Sequence, residues 1–244
     1  MIQKSIRLLT FFLIFTMITV RAGRADNQII IPSGFAQSNF HDLSKEIGLA
    51  VSTIPLEPAS PLGLFRFDVG VEASFVSIHN KEPYWTEVAS NPPATLVVPK
   101  IHGNLGLPAG IDIGVIYASV PDSNISLIGG DIKFAILEGS PLTPAVALRG
   151  SYSKLNGVTD MNLNTEGVDL SISKGFGPFT PYLGIGETII QSSVTNPALG
   201  LNSESASSFK GFVGAKISLF LLSLTGEADF GDIPIYSVRL NLGW

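Results

Sequence analysis

The residues that could do chemistry are charged side chains placed at every second position within apolar segments. Arg66, Asp68 and Glu72 show the pattern most clearly, because they alternate with phenylalanine, valine and alanine side chains. Charges of both signs on one face of a strand can neutralise one another as ion pairs, or they can line an aqueous passage. The recurrence of this pattern predicts a charged lining made of Arg66, Asp68, Glu72, Lys100, Asp112, Asp131, Lys133, Arg149, Asp169, Lys216, Glu227, Asp229 and Arg239.

The elements that position these charges must be β-strands, because successive side chains of a strand point to opposite faces. Each segment carries one apolar face and one polar face, which requires lipid or a core on one side and water on the other. Charged residues make up only 14% of the chain, and the chain has 25 glycines. A soluble domain usually carries about a quarter charged residues. We therefore expect an all-β, antiparallel transmembrane β-barrel, with a secreted soluble β-sandwich as the alternative.

The number of strands follows from counting the alternating segments. Eleven segments carry the alternation, the first of them near residues 48–55. Single-chain bacterial barrels have an even number of strands. We expect about twelve strands, with residues 28–37 adding a twelfth to the eleven segments. Ten strands is the alternative, if two of the segments merge. Phe40, Leu43 and Ile47 fall at helical spacing, so the N-terminal segment 26–47 is expected to contain a short helix.

The expected lumen has two interpretations. Because the charges are of mixed sign, they favour mutual pairing, and a barrel of about eight to ten strands leaves little room beyond its side chains. A barrel of twelve strands leaves room for a narrow conducting path. Both a filled lumen and a conducting lumen remain open from the residues alone.

Catalysis and metal binding are not expected. The chain has three histidines, and only His79 would lie at a rim where a hydrolase needs a base. No nucleophile and orienting residue accompany His79 in the sequence, so a rim hydrolase is the third alternative for function. No spacing of His, Asp or Glu matches a metal site, the chain has no cysteine, and no cofactor is expected.

The N-terminal residues have the three parts of a secretory signal peptide. The apolar run Leu8–Val20 follows Lys4 and Arg7 and precedes Gly23-Arg24-Ala25, a pattern of small residues at which cleavage occurs. We expect residues 1–25 to be removed and residues 26–244 to form one barrel domain, with an uncleaved anchor as the alternative. Removal takes away four basic residues and no acidic one, so the net charge falls from −5 to −9. Such an acidic chain should not bind nucleic acid.

The connections between the segments alternate in character. Short turns rich in Gly and Pro are expected at 56–61, 108–110, 139–144 and 175–181. Between them lie connections at 79–94, 121–124, 155–160 and 194–208, of which the first and the last are long and polar. Short turns on one rim and long loops on the other are typical of membrane barrels, whose long loops face outside. Tyr84 and Trp85 in the first external loop fit either an interfacial aromatic girdle or anchors for a partner.

The last residues of the chain form a strand with a regular apolar face. Tyr236, Val238, Leu240, Leu242 and Trp244 share that face, and the chain ends on the aromatic residue. This ending resembles the C-terminal strand of bacterial outer-membrane β-barrels, and Thr180–Gly186 is similar to the strand starts of small members of that group. The resemblance implies export to the outer membrane of a Gram-negative cell. It also implies periplasmic chaperones and the barrel-assembly machinery as partners, together with membrane lipid and lipopolysaccharide.

The resemblance lends the chain no activity, so its role follows only from the expected architecture. We expect a passive narrow pore or a structural membrane protein and not an enzyme. The alternative is a surface adhesin or recognition barrel that acts through the external loops 79–94 and 194–208. The identity of a solute or surface partner cannot be read from the residues.

Overall fold

The computed structural model describes residues 29–119 and 124–243. The predicted signal peptide, most of the predicted loop 121–124 and the terminal Trp244 lie outside these residues. The described chain forms two helices, α1 (Gln37–Val51) and α2 (Pro83–Thr86). It forms ten strands: β1 (Phe67–Ser77), β2 (Thr95–Leu107), β3 (Ile111–Ser119), β4 (Ser126–Leu137), β5 (Ala145–Asn156), β6 (Met161–Ser173), β7 (Phe179–Val194), β8 (Glu204–Leu219), β9 (Leu222–Phe230) and β10 (Ile235–Gly243).

The strands close into an antiparallel barrel in which each strand pairs with its neighbours along the chain. β1 pairs with β10 from Asp68 opposite Gly243 to Val76 opposite Ile235, and this pairing closes the ring. Closure matters because an unpaired sheet edge would leave backbone N–H and C=O groups in lipid without partners.

The alternation in the sequence becomes the two faces of this wall. On β3, for example, Val115 is 66% exposed on the outside whereas Asp112 is 3% exposed on the inside. The same division holds on the other strands, where valine, leucine, isoleucine and phenylalanine side chains point outward and are exposed. An exposed apolar exterior around a closed ring is the surface that a bilayer covers.

Ten strands is the lower of the two counts that the sequence allowed, and the larger count of twelve is not observed. The region 48–55, expected as the first strand, is the end of α1 followed by an irregular segment inside the barrel. Residues 29–36 are irregular and lead into α1, so they add no strand. The apolar residues of 48–55 are buried inside the barrel, whereas in 29–36 only Ile31 and Phe35 are buried and Ile30 is 53% exposed. A short apolar run does not distinguish a strand from a buried helix.

The predicted helix is longer than expected, and it lies inside the barrel. Phe40 and Leu43 are fully buried, and Ile47 is nearly so, against the inward faces of the strands. Gly48 makes this packing possible, because a Cβ atom there would lie 2.5 Å from the Cγ atoms of Ile190 on β7. Ser52 ends the helix in extended conformation, three residues before Pro55.

The predicted difference between the rims holds only for the longest connections, 78–94 and 195–203, because the same rim also carries the four-residue connections 157–160 and 231–234, which are shorter than 138–144 on the other rim. One end, which we call the turn rim, carries the short connections at 108–110, 138–144, 174–178 and 220–221. The opposite end, which we call the loop rim, carries the connections at 78–94, 157–160, 195–203 and 231–234. The predicted loop 194–208 is shorter than expected, since β7 continues to Val194 and β8 begins at Glu204.

Candidate functional site: the occupied lumen

The lumen is filled by the chain that precedes β1. α1 occupies the half near the loop rim, where the inward strand residues are apolar and form one hydrophobic core with the helix. Residues 52–62 then run through the other half, where the inward residues are charged, before the chain reaches the turn rim and begins β1. We call residues 52–62 the lumen segment. Its charged surroundings form three groups of side chains.

The first group is centred on Glu72 of β1. The register places Glu72 directly opposite Lys100 on β2 and Arg239 on β10. The Glu72 carboxylate lies 3.1 Å from the Lys100 Nζ and 2.8 Å from the Arg239 Nη2. Both cations also donate to the lumen segment, Lys100 to the carbonyl of Ser52 at 3.3 Å and Arg239 to that of Leu56 at 3.4 Å.

The second group is centred on Lys133 of β4. Its Nζ lies 3.0 Å from Asp112, directly opposite on β3, and 3.1 Å from Glu57 of the lumen segment. Lys133 also donates to the carbonyls of Pro58 and Ser60 at 3.2 and 3.3 Å. One lysine therefore contacts both the barrel wall and three residues of the lumen segment.

The third group joins five strands, β4, β5, β6, β8 and β9. Arg149 contacts Asp169 at 2.8 Å and Asp131 at 3.3 Å, and it donates to the Thr53 carbonyl at 3.4 Å. Lys210 contacts Asp229 at 3.0 Å and Asp169 at 3.7 Å. Buried charges are costly unless they are paired, and this chain of contacts supplies each of them with a partner.

Glu227 on β9 differs from these carboxylates. Its Oε2 atom accepts the Leu56 N–H at 2.9 Å and the Tyr182 hydroxyl at 2.7 Å. Among the described residues, no Lys, Arg or His nitrogen lies within 4.0 Å of it. Leu56 is held here at a φ of 46°, a left-handed backbone that costs a non-glycine residue about 1–2 kcal/mol. Contacts to Glu227 and Arg239 offset that cost.

Most of the predicted lining residues face the lumen as expected. Asp68 faces inward and contacts His102 at 3.1 Å, and the side chain of Lys216 is half-buried on β8. Arg66 is a correction: it precedes β1 at the turn rim and is exposed. The Arg66 carbonyl accepts the N–H of Gly106, and the Arg66 N–H donates to the carbonyl of Gly63. Arg66 therefore belongs to the entry into the barrel and not to the lining.

Three residues of the site were missed by the sequence reasoning. Lys210 alternates correctly on β8, between the outward Phe209 and Gly211, so the same period-two rule would have found it. Glu57 lies in the turn expected at 56–61 and Glu46 in the short helix expected within 26–47, and the charged lining predicted from the sequence includes neither of them. No signal in the sequence shows that these two segments are enclosed by the barrel.

At the loop rim, Glu46 of α1 binds the connection between β1 and β2. Its carboxylate accepts the Trp85 indole N–H at 2.6 Å and the Tyr84 hydroxyl at 3.0 Å, and it pairs with the His79 imidazole. Burial and the hydrogen bond to Glu46 raise the pKa of the Tyr84 phenol above its ordinary value. Trp85 lies on α2 and is buried against α1, so it is neither a girdle residue nor an exposed anchor, which corrects both interpretations drawn from the sequence.

The three histidines are all engaged by carboxylates. His41 contacts Glu204 at 2.8 Å, His102 contacts Asp68, and His79 pairs with Glu46. Within residues 29–119 and 124–243, no group of three or more His, Asp or Glu side chains could hold a metal ion. In the same residues, no helix is long and apolar enough to cross a membrane.

A closed ring of ten strands with an exposed apolar exterior and buried ion pairs inside defines a transmembrane β-barrel. The solved structures that the chain resembles are bacterial outer-membrane β-barrels. Neisserial surface protein A is 9% identical, with 73% of this chain and 95% of that chain covered and a TM-score of 0.33. Ail of Yersinia pestis is 10% identical (75% and 100% covered, TM-score 0.31), and Omp33 of Acinetobacter baumannii is 7% identical (74% and 98% covered, TM-score 0.34).

These likenesses concern the fold. No protein-family model matches the chain. No curated protein matches it either.

Proposed function

We propose that this protein is an outer-membrane β-barrel whose lumen is closed by its own N-terminal segment, and that its role is structural and not that of an open pore. The observation that carries the proposal is the continuous filling of the lumen by α1 and the lumen segment. Near the loop rim the filling is an apolar core, and near the turn rim it is a set of buried ion pairs. Most of the charged groups of the lining are paired with one another or with the lumen segment, and Glu227 accepts hydrogen bonds from Leu56 and Tyr182.

Conductance of the purified protein in planar bilayers tests this closure. We expect no single-channel steps from protein that has inserted as a closed barrel, as judged by its heat-modifiable migration in gels. Regular steps from such protein would overturn the proposal and would restore the narrow pore. Uptake of a small labelled solute by proteoliposomes gives a second readout that does not depend on the detection of single channels.

The location and assembly route follow from the exterior of the barrel. The outward residues Tyr236, Val238, Leu240 and Leu242 of β10 form an exposed apolar stripe, which supports recognition of this strand by the barrel-assembly machinery after passage with periplasmic chaperones. We propose export directed by residues 1–25, with the loop rim outside the cell and membrane lipid and lipopolysaccharide around the wall. Cell fractionation tests this location, and recovery of the processed chain in a soluble fraction would exclude it.

A recognition role is the second candidate, and the greater length of the strands on one side of the barrel favours it. β7 and β8 have 16 residues each, whereas β9 and β10 have nine. At the loop rim, β6 and β7 carry the exposed polar residues Asn162, Glu166 and Gln191 on their outward faces. Adhesion of cells that display the protein should fall when Glu166 and Gln191 are both changed to lysine, if this surface binds a partner.

Deletion of residues 80–92 is a poor test of recognition. The deletion would remove Tyr84 and Trp85 from Glu46, and the lumen helix would lose its contacts with the loop rim. We propose no catalytic role for His79, because its imidazole is paired with Glu46 on a structural helix. A hydrolytic activity that His79→Ala eliminated would overturn that assignment.

A further inference from the structure

The barrel wall is complete without the lumen segment. All ten strands pair edge to edge around the ring, and none of these pairings uses a residue before Phe67. The lumen segment joins the wall only through side chains that reach inward from the strands. It is therefore bound by the wall in the manner of a ligand and is not a part of the sheet.

The polar contacts between the wall and the lumen segment, together with the residue before it, are mainly to the backbone, and the side chains of Ile54, Leu56 and Ala59 are fully buried as well. Wall side chains donate to six carbonyl groups, those of Val51, Ser52, Thr53, Leu56, Pro58 and Ser60. Glu227 accepts the N–H of Leu56, and Asp112 accepts the N–H of Leu62 at 3.0 Å. Among the described residues, the segment makes one side-chain ion pair with the wall, between Glu57 and Lys133.

The composition of the lumen segment suits this mode of binding. Prolines recur at every third position, 55, 58 and 61, and proline has no N–H to donate. Such a chain forms no helix or sheet ladder, so its carbonyl groups must accept hydrogen bonds from elsewhere. Lys100, Lys133, Arg149 and Arg239 are long donors that can reach the carbonyl groups of any chain in this path.

Four side-chain oxygens on β9 and β10 are buried and accept no hydrogen bond from the described residues. On β9, Thr225 Oγ1, Glu227 Oε1 and Asp229 Oδ2 are buried without a hydrogen-bond partner among the described residues. Asn241 Oδ1 on β10 is also buried without a hydrogen-bond partner among these residues. Buried polar atoms are nearly always hydrogen-bonded, so these acceptors are open to donors that the described chain does not supply.

We propose that the charged half of the lumen is a binding site for an irregular, proline-containing peptide, and that residues 52–62 occupy it as a tethered ligand that a free peptide can replace. The proposal rests on the closed lumen inferred above and gives its lining a ligand class. The main chain is recognised through its carbonyl and N–H groups, and Ile54, Leu56 and Ala59 fill buried positions, so the site selects small or apolar side chains there and leaves the less buried positions free to vary. The tether keeps the site filled because it holds the segment at a high effective concentration.

The test cuts the tether in the full-length protein. A recognition sequence for a specific protease is inserted between Leu64 and Phe65, which are 57% and 71% exposed. The folded protein is cut in detergent and incubated with a fluorescent synthetic peptide of residues 37–62. Co-elution of the fluorophore with the barrel measures exchange, and heat-modifiable migration reports whether the barrel stays folded. Uncut protein is the control and should take up no peptide.

Two altered peptides separate main-chain recognition from a fixed fit of side chains. A peptide methylated at the nitrogens of Leu56 and Leu62 loses the donations to Glu227 and Asp112, and we expect it to bind roughly tenfold or more weakly. A peptide in which Ser60 and Leu62, which are not fully buried, exchange places while every other residue is kept should bind within a few-fold of the original.

Each outcome decides the proposal. Exchange into a folded barrel, with loss on N-methylation, supports it. Exchange that occurs only when urea unfolds the barrel overturns it, and so does equal binding of the methylated peptide. Channel steps from the uncut protein would overturn the closed lumen, and that result is separate from the exchange in the cut protein.

Discussion

Trp85 donates its indole N–H to the Glu46 carboxylate at 2.6 Å, and this bond joins the connection between β1 and β2 to the helix inside the barrel. Glu46 lies on α1, 39 residues before Trp85, and it also binds Tyr84 and His79 of the same connection. One buried carboxylate thus holds the helix and the cover of the loop rim together. The position of the helix and the order of that connection should depend on each other.

Replacing Glu46 with glutamine should loosen residues 78–94, the connection between β1 and β2. The change removes the charge that strengthens three hydrogen bonds, and we expect the free energy of unfolding to fall by roughly 1–3 kcal/mol. Trypsin should cut after Lys81 faster than in the parent protein. Glu87→Gln is the matched control, because Glu87 is an exposed carboxylate in the same connection. Equal cleavage of the two variants would contradict the role given to Glu46.

Two buried glutamates should respond differently to the same substitution. Glu72→Gln leaves Lys100 and Arg239 without their shared carboxylate, which should cost about 3–5 kcal/mol in urea unfolding. Glu227→Gln keeps an oxygen for Leu56 and Tyr182 and strands no cation, so the expected cost is about 1 kcal/mol or less. If both variants lose the same stability, the ion pairs at Glu72 are not what holds this part of the lumen.

The close contact between α1 and β7 predicts that Gly48→Ala is destabilising. Alanine favours a helix over glycine by about 1 kcal/mol, but overpacking against Ile190 should cost about 1–3 kcal/mol. We expect a net loss in urea unfolding and partial rescue by Ile190→Ala, which removes the contacting Cγ atoms. Gly226→Ala is the control, since its Cβ would meet no heavy atom within 4 Å. A stabilised Gly48→Ala protein would contradict this packing.

Tyr84 should keep its proton at pH values where free tyrosine ionises. Burial and the hydrogen bond to Glu46 raise the pKa of its phenol above the ordinary value of 10.0. A group with a raised folded-state pKa contributes stability below its unfolded pKa, and this contribution disappears as the pH rises through the folded value. Ultraviolet titration of the parent protein and Tyr84→Phe measures this group by difference. A difference spectrum that titrates near pH 10 would refute the contact with Glu46.

The strands and their two faces could be predicted from the sequence because they depend on a local rule. A period of two in polarity, repeated ten times between turn residues, is enough to place Val115 outside and Asp112 inside. The same rule places Lys210 inside, although the charged set drawn from the sequence omitted it. Given the register, even the contact partners follow, since Glu72 faces Lys100 and Arg239 directly across neighbouring strands.

What occupies the lumen was decided only by the tertiary structure. The apolar residues 48–55 satisfy a strand, a surface helix or a buried helix equally well, because the local pattern does not record what surrounds a segment. Glu46 finds Trp85 and Leu56 finds Glu227 only after the ring has closed around them. The sequence determined a wall with an apolar outside and a charged inside, whereas closure of that wall around residues 37–62 determined that its charges bind the chain itself.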